Sequence, residues 1–564
     1  MATRAARGVF AEIETREGLL RMNDPLHQRR RGLYDPRFEH DACGIGFVAQ
    51  LSGAPSHEIL VQAVTAVGHM AHRGGVAADN KSGDGAGVLT QIPRAFFARE
   101  LERLGITVAA DDLAVGMFFL PHDAAAAARA RALSERIVAD YQLRLLGWRS
   151  VPIDIDVLGD TARSTCPTIE QALIAPAEAA TFTADGYERA LYLARKAIEA
   201  AAIRERLDDL AIPSLSSRTI VYKGLLVAPL LADFYADLAD PLYETAIAVF
   251  HQRYSTNTFP TWPLAQPFHM LSHNGEINTL WGNATWMQAR EAEWRRLPVE
   301  PFHGEPPTGA ALAGMVAQIG PVVDTRGSDS AMLDNVLELL VLGGRDIRHA
   351  MTMLVPEAWE RVQDMPPEWR AFYQYHAGLM EPWDGPAALV FCDGDVVGLA
   401  LDRNGLRPAR FLVTDDGLVI CGSEVGAVPI DEARIVRKGK VGPGQMIAAD
   451  LRSGRFAEND EIKTALSADK PYAGWLKSQV QVLAPAGAAR YTAGDAEETS
   501  AARASKSALL GELQQAFGYT AEELAVILRP MLRDGQEPVG SMGDDTPPAV
   551  LAERARPLYG YFKQ

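Results

Sequence analysis

The sequence is poor in cysteine: its 564 residues include only Cys43, Cys166, Cys392 and Cys421. So few cysteines do not make a disulfide framework in a chain of this length. No two of them have the CxxC spacing that zinc and iron–sulfur sites use. We therefore expect a protein of the reducing cytoplasm, with no metal bound by this chain.

Long apolar runs and excess positive charge are also lacking. No stretch reaches eighteen uninterrupted apolar residues, which argues against a membrane span. The net charge of -17 argues against broad, non-specific nucleic-acid binding. What is present, 48% apolar and 23% charged residues, is typical of a globular protein, and the length favours two to four domains.

Residues 1–42 form a basic leader, with three consecutive arginines at 29–31 in an otherwise acidic protein. The leader lacks the apolar core of a secretory signal, and its acidic residues make it a poor organelle transit peptide. Two interpretations remain open. The leader is either a disordered tail or a pro-segment that is removed before Cys43.

Apolar segments bounded by glycine predict strands, and long stretches with few breakers predict helices. The predicted strands are 44–51, 85–93, 217–229 and 245–256, and the predicted helices are 59–70, 122–147, 185–207 and 327–344. Gly394-Asp395 and Asp416-Gly417, each between β-rich runs, predict two hairpins. Tyr519-Thr520 followed by Glu522-Glu523 suggests a capping box. Strands at both ends with helices between them indicate an α+β domain.

Cys43 precedes a glycine-rich strand in the segment HDACGIG. A cysteine beside a strand is most often a small core residue, which is our interpretation of the other three. Cleavage before Cys43 would instead give it a free α-amine. An α-amine has a pKa of about 8 and can take the thiol proton near neutral pH. Nucleophile and base would then be the same residue.

Three further positions have both a structural and a chemical interpretation. Asn274-Gly275 is either a tight turn or an oxyanion hole made by an amide side chain and a backbone N–H. Arg253 is either an exposed cation at a strand end or a ligand for a substrate carboxylate. Asp329 either is an N-cap or first-turn residue of a helix or binds a substrate ammonium. Arg253 and Asp329 together would recognise a free amino acid.

These motifs, in this order, resemble the class II (N-terminal-nucleophile) glutamine amidotransferase domain. The resemblance is carried by HDACGIG, GHMAHRGG, RYSTNT, HNGEINT and GSDS. DGAGV, the stretch RYSTNTFPTWPLAQPF before HNGEINTL, and residues 383–411 are similar, more narrowly, to the glutamate synthase large subunit. The resemblance covers about residues 34–564.

The resemblance implies a four-layer αββα sandwich of the N-terminal-nucleophile hydrolase type over residues 43–465. Residues 466–564 would form a linker and the incomplete start of the family's central domain, a second α/β domain. Cys43 matches the residue that becomes the mature N-terminus and attacks glutamine. Asn274 and the Gly275 N–H match the oxyanion hole, Arg253 the α-carboxylate ligand and Asp329 the α-ammonium ligand.

The resemblance also implies positions that line the glutamine pocket. These are Tyr254, Thr256, His72 and Arg73. The implied reaction converts L-glutamine and water into glutamate and ammonia through a γ-glutamyl thioester on Cys43. The ammonia would pass through a tunnel to 2-oxoglutarate on a synthase half, giving L-glutamate.

In the family, the synthase half carries FMN and a [3Fe-4S] cluster and works with a small reductase subunit. No ligands for these cofactors are expected in this chain, and we expect that half to lie beyond Gln564. Two alternatives remain open. The chain is an amidotransferase with another acceptor, such as a sugar phosphate, or it is a catalytically silent, truncated fragment.

We predict that the mature protein begins at Cys43, because removal of residues 1–42 frees the α-amine that serves as base. Intact-mass measurement and N-terminal sequencing of the purified protein check this prediction. Full glutaminase activity in a chain that retains Met1 to Ala42 would contradict it.

Overall fold

The computed structural model describes residues 43–178, 180–255, 258–294, 320–424, 426–481, 509–538 and 551. The basic leader and Thr256 lie outside the described residues. The chain divides into two units, one ending at Val480 and the other beginning at Gln481. Within the described ranges, none of the helices combines the length and apolar character that crossing a membrane requires.

The first unit alternates strands and helices along the chain. Its strands are β1 (Gly44–Gln50), β2 (Ser82–Gln91), β3 (Ala114–Leu120), β4 (Leu143–Ser150), β5 (Thr168–Pro176), β6 (Ala211–Ser216), β7 (Thr219–Leu226), β8 (Ile247–Gln252), β9 (Leu271–Gly275), β10 (Ala387–Cys392), β11 (Val396–Leu401), β12 (Arg410–Thr414), β13 (Leu418–Gly422), β14 (Ile435–Lys440), β15 (Met446–Asp450) and β16 (Arg455–Glu458).

The helices of this unit lie between and after the strands. They are α1 (His57–His69), α2 (Arg94–Leu104), α3 (Ala124–Asp140), α4 (Asp160–Ser164), α5 (Ala184–Arg204), α6 (Leu231–Phe234), α7 (Leu280–Trp294), α8 (Asp329–Leu342), α9 (Ile347–Leu354), α10 (Pro367–Ala377), α11 (Asn459–Ala468) and α12 (Tyr472–Gln479).

The described strands form three sheets. The largest has the order β14-β12-β13-β1-β8-β2-β7, the next β16-β15-β11-β10-β9, and the smallest β4-β5-β3-β6. In the largest sheet, β1 pairs antiparallel with β13 on one side and with β8 on the other. A strand from the start of the domain is therefore held by strands that follow it by about 200 and 370 residues.

The two larger sheets face each other across an apolar core. Alternate residues of a strand point to opposite faces, so Ile45 and Phe47 of β1 meet Val390 of β10 and Leu399 of β11 in this inner core. The sequence of β1 is a nearly continuous apolar run, so the strand can be buried on both faces. Its position is therefore fixed both by hydrogen bonds within its sheet and by packing against the second sheet.

Helices cover the outer face of each large sheet. Val48 of β1 belongs to an outer core that includes Leu60 of α1. Leu389 of β10 belongs to another that includes Leu333 and Leu337 of α8. The layers are thus helix, sheet, sheet and helix, which confirms the predicted four-layer αββα sandwich.

The smallest sheet was not predicted, and it corrects one helix. Only Ala124–Asp140 of the predicted helix 122–147 is helical, as α3, because Leu143–Ser150 forms strand β4. Alanine and leucine in this stretch favour helix, but β4 pairs with β5 along its length, so pairing in the sheet overrides local propensity. Helices α3 and α5 pack on this sheet in a separate core.

The two predicted hairpins are confirmed, since β10 pairs antiparallel with β11 and β12 with β13. In the second unit, Thr520 and Glu523 form the predicted capping box. The Thr520 backbone N–H donates to the Glu523 carboxylate at 2.8 Å, and the Glu523 N–H donates to Thr520 Oγ1 at 3.1 Å. Helical residues Glu523–Leu528 and Arg529–Asp534 follow.

We predict that Gly46→Ala destabilises the protein, whereas Gly68→Ala does not. A Cβ at Gly46 would lie 2.2 Å from the Cys421 carbonyl oxygen and 2.9 Å from Gly422 Cα, so β1 and β13 would have to separate. Overpacking of this kind costs about 1–3 kcal/mol or more. A Cβ at Gly68, in α1, would meet nothing within 4 Å, and alanine there favours the helix. Thermal unfolding of both variants provides the measurement; equal midpoints would contradict the prediction.

Candidate active site

A cavity of about 270 Å³ lies at the start of β1. The segment after β8, the end of β9 and the start of α8 contribute to its walls. The lining residues include Cys43, Arg253, Tyr254, Thr258, Gln266, His273, Gly275, Trp281 and Asp329. The fold therefore brings together predicted site residues that lie almost 300 positions apart in the sequence.

The Cys43 thiol is held by the backbone of Tyr254. Cys43 Sγ accepts a hydrogen bond from the Tyr254 N–H at 3.2 Å and donates to the Tyr254 carbonyl at 3.4 Å. Burial raises the pKa of this thiol, while the Tyr254 N–H and the charges of Arg253 and Arg407 act in the opposite direction. A thiol with a raised pKa needs a base beside it to react as a thiolate.

The carbonyl oxygen of Cys43 accepts two hydrogen bonds from side chains. Arg73 Nε donates at 3.0 Å and Asn274 Nδ2 at 2.9 Å. Arg73 is itself fixed by Glu424, at 2.6 Å. Arg73 thus contacts the backbone of the predicted nucleophile, and Asn274 lies directly beside it.

Arg253 follows β8 and is 5% exposed, so the alternative of an exposed strand-end cation is wrong. Its Nη2 donates to Thr258 Oγ1 at 2.7 Å. Its Nη1 is buried and has no hydrogen-bond partner among the described residues. A buried guanidinium nitrogen without a partner is energetically unfavourable. Arg253 lines the cavity, where its guanidinium is available to pair with a bound carboxylate.

Asp329 is the first residue of α8 and follows the cap residue Ser328. Its carboxylate accepts from the Ile277 N–H at 2.9 Å and from the Ser330 N–H at 2.7 Å. These bonds hold the carboxylate at the cavity wall. Each oxygen retains capacity to accept a further bond, for example from an ammonium.

Asn274 and Gly275 end strand β9 and pair with Ala388 and Ala387 of β10. The alternative of a tight turn is therefore wrong. Gly275 has a φ of 131°, and a Cβ there would lie 1.9 Å from the Pro386 carbonyl oxygen. Only glycine fits this position.

The remaining predicted pocket residues differ in their placement. Tyr254 lines the cavity, with its backbone on the Cys43 sulfur. His72 has a side chain that is 60% exposed and contacts Glu424 at 2.8 Å. Neither His72 nor Arg73 is among the described residues that line this cavity, and Thr256 lies outside the described residues.

Four residues to which the sequence analysis assigned no role lie in or beside the cavity. Asp84 accepts from the Ser255 N–H at 2.6 Å and so holds the segment after Arg253. The other three are Gln266 and His273, which line the cavity, and Arg407, which donates to the Pro386 carbonyl at 3.2 Å. All four lie inside the motifs that carried the resemblance, which is the signal that could have identified them.

A group of possible metal ligands lies elsewhere, where His269, Asp334 and Glu338 bring their ligand atoms within 4.8 Å of one another. Asp334 already accepts from His269 Nδ1 and from the Met270 N–H, both at 2.9 Å. Glu338 is paired with the buried Arg195. The expectation that this chain binds no metal remains a prediction.

Comparison with known proteins agrees with the geometry of the cavity. A family model described as class-II glutamine amidotransferases matches residues 43–475. Since this is most of the chain, the protein belongs to the class-II glutamine amidotransferases. A second family model, the glutamate synthase central domain, matches residues 512–564.

The curated relatives are more specific. Ferredoxin-dependent glutamate synthase 2 of Synechocystis sp. is 46% identical over 93% of this chain and 32% of its own length. The NADPH glutamate synthase large chain of Azospirillum brasilense is 42% identical over 94% of this chain and 34% of its own length. That of Bacillus subtilis is 41% identical over 95% of this chain and 33% of its own length. The resemblance to the glutamine amidotransferase region of glutamate synthase is confirmed. The chain spans about a third of the length of these relatives.

Proposed function

We propose that this chain hydrolyses L-glutamine at Cys43 and supplies the ammonia for glutamate synthesis. The observation that carries the proposal is the juxtaposition of three groups in one cavity: the Cys43 thiol, the Arg253 guanidinium with an unsatisfied Nη1, and the Asp329 carboxylate. The α-carboxylate of a free amino acid would pair with Arg253, and its α-ammonium would pair with Asp329. Its side-chain amide would then face the thiol.

The proposed reaction begins when the thiol gives its proton to the α-amine of Cys43, which is free once residues 1–42 are removed. The sulfur then attacks the side-chain amide carbon of glutamine. The resulting oxyanion accepts hydrogen bonds from Asn274 and from the Gly275 N–H. Asn274 Nδ2 uses one hydrogen for the Cys43 carbonyl, which leaves its second for this role.

Collapse of the intermediate breaks the carbon–nitrogen bond. The nitrogen leaves as ammonia with the proton that the α-amine had taken, and a γ-glutamyl thioester remains on Cys43. Water, deprotonated by the same amine, attacks the thioester and gives glutamate and the free thiol. In this scheme Arg253 and Asp329 hold the two charged ends of the substrate throughout.

The wider function rests on the relatives. Membership of the glutamate synthase family implies that the ammonia reacts with 2-oxoglutarate on a synthase half. In the family, that half uses FMN and a [3Fe-4S] cluster and works with a small reductase subunit. The named relatives include a ferredoxin-dependent enzyme and an NADPH enzyme. We assign no residue of this chain to these cofactors. We propose residues 43–465 as the glutaminase domain and residues 466–564 as the linker and start of the central domain.

Of the alternatives, another ammonia acceptor is disfavoured by the match to the glutamate synthase central domain. A glutaminase assay of the purified chain tests the other alternative, that the chain is a catalytically silent fragment.

We predict glutaminase activity that depends on Cys43. Cys43→Ser should lower kcat by more than about 10³-fold, because a hydroxyl is far less acidic than a thiol and removal of a nucleophile abolishes the covalent route. The matched control is Cys166→Ala, because Cys166 is buried in the core outside the cavity. It should alter stability more than rate. Ammonia release is measured with both variants and the parent chain, and an inactive parent would favour the silent fragment.

A further inference from the structure

Lys223 is a buried cation that the proposed reaction does not use. It lies in β7 of the largest sheet and is 2% exposed. Among the described residues, its ammonium makes no ion pair with a carboxylate. Its Nζ instead donates to the Pro263 carbonyl at 2.8 Å and to the Pro267 carbonyl at 3.3 Å.

A buried charge without a counter-ion is normally unfavourable, so these contacts have to compensate for lost hydration. Burial lowers the pKa of Lys223 to about 7. The charge of Asp334 opposes this shift and that of Arg253 adds to it. The ammonium also lies 4.9 Å from the centre of the Phe268 ring. Both carbonyls and the ring belong to one stretch of chain, residues 258–268, which we call the pocket segment.

The pocket segment forms part of the glutamine cavity. At one end, Thr258 lines the cavity and accepts the hydrogen bond from Arg253 Nη2 at 2.7 Å. At the other end, Gln266 lines the cavity and its Oε1 accepts from the His273 N–H at 2.7 Å. Any movement of this segment would therefore move the partner of Arg253 and one wall of the cavity.

Lys223 anchors the pocket segment on either side of Gln266. Its bonds to the carbonyls at 263 and 267 tie the segment to the largest sheet, in which Cys43 directly precedes β1 and Arg253 directly follows β8. The amine has enough N–H groups to donate to both carbonyls whether or not it is protonated, and a side chain without N–H donors cannot replace these bonds.

We propose that Lys223 is a positioning residue for the amino-acid site, which fixes the pocket segment so that Thr258 orients Arg253 toward the substrate carboxylate. The inference rests on the proposed glutaminase activity. Lys223 does not touch the substrate in this account; it acts through Thr258, Gln266 and Arg253.

The test is Lys223→Met, which keeps an unbranched side chain only one heavy atom shorter and removes its charge and its donors. We expect KM for glutamine to rise about tenfold or more, with a much smaller change in kcat, because carboxylate binding is weakened while Cys43 and its surroundings remain. Hydrogen exchange in residues 258–268 should become faster.

The matched control is Lys463→Met. Lys463 is also buried, at 5% exposure, but it pairs with Glu357 at 2.7 Å and donates to the Gly444 carbonyl at 2.8 Å, and none of these residues lines the cavity. It should lower the unfolding temperature while leaving KM within about twofold of the parent value. If Lys223→Met raised KM no more than Lys463→Met does, Lys223 would be structural only.

If Lys223→Met does not fold, Lys223→Arg decides the question. A guanidinium keeps a charged donor, so a KM within about threefold of the parent value would support the proposal. A tenfold rise with unchanged unfolding temperature would overturn it. An inactive parent chain would refute the glutaminase proposal itself, whereas an active parent with an unaffected Lys223→Met variant would refute only this inference.

Discussion

The site depends on how the carbonyl oxygen of Cys43 is held. It accepts one hydrogen bond from Arg73, just after α1, and one from Asn274, at the end of β9. Cys43 leads into the seven-stranded sheet, and Asn274 belongs to the five-stranded one. This single oxygen therefore ties the two layers of the sandwich together at the point where the thiol emerges, and the position of the nucleophile follows from the packing of the sheets.

The charges around the thiol are arranged for a substrate that carries both signs. Arg253 is buried and incompletely satisfied, whereas Asp329 sits at the first turn of α8 with its oxygens fixed by backbone N–H groups. Such preorganised groups bind without rearranging, which is what orientation of an amide against a sulfur requires. The segment that Lys223 anchors links this electrostatic arrangement to the sheet beneath it.

Much of this architecture could be predicted from sequence because the signals are local. The two Asp/Gly-containing hairpins, the capping box at Thr520 and the glycine-rich strand after Cys43 each follow from short-range chemistry. The four-stranded sheet could not be predicted in the same way, because β4 is defined by its pairing with β5 rather than by its own residues. The helix predicted over 122–147 was too long for the same reason.

In the candidate site, too, some features follow from local sequence signals and others depend on contacts between distant residues. Cys43, Arg253, Asn274 and Asp329 could be proposed from residue type and motif, but the burial of Arg253 and the bond from Arg73 to the Cys43 carbonyl depend on contacts across the fold. Lys223 gave no sequence signal at all, since a lysine in an apolar strand is notable only once its partners are known.

The central claim is that one cavity recognises both charged ends of glutamine beside Cys43. The most direct test measures kcat/KM of the parent chain, Arg253→Ala and Asp329→Ala with glutamine, its α-amide analogue and N-acetylglutamine. The account predicts that Arg253→Ala lowers the ratio of kcat/KM for glutamine to that for the α-amide, but not the ratio to N-acetylglutamine. Asp329→Ala should lower only the ratio to N-acetylglutamine, because Arg253 pairs with the carboxylate end and Asp329 with the ammonium end. Loss of the same factor on every substrate in both variants would contradict it and leave Arg253 and Asp329 with structural roles alone.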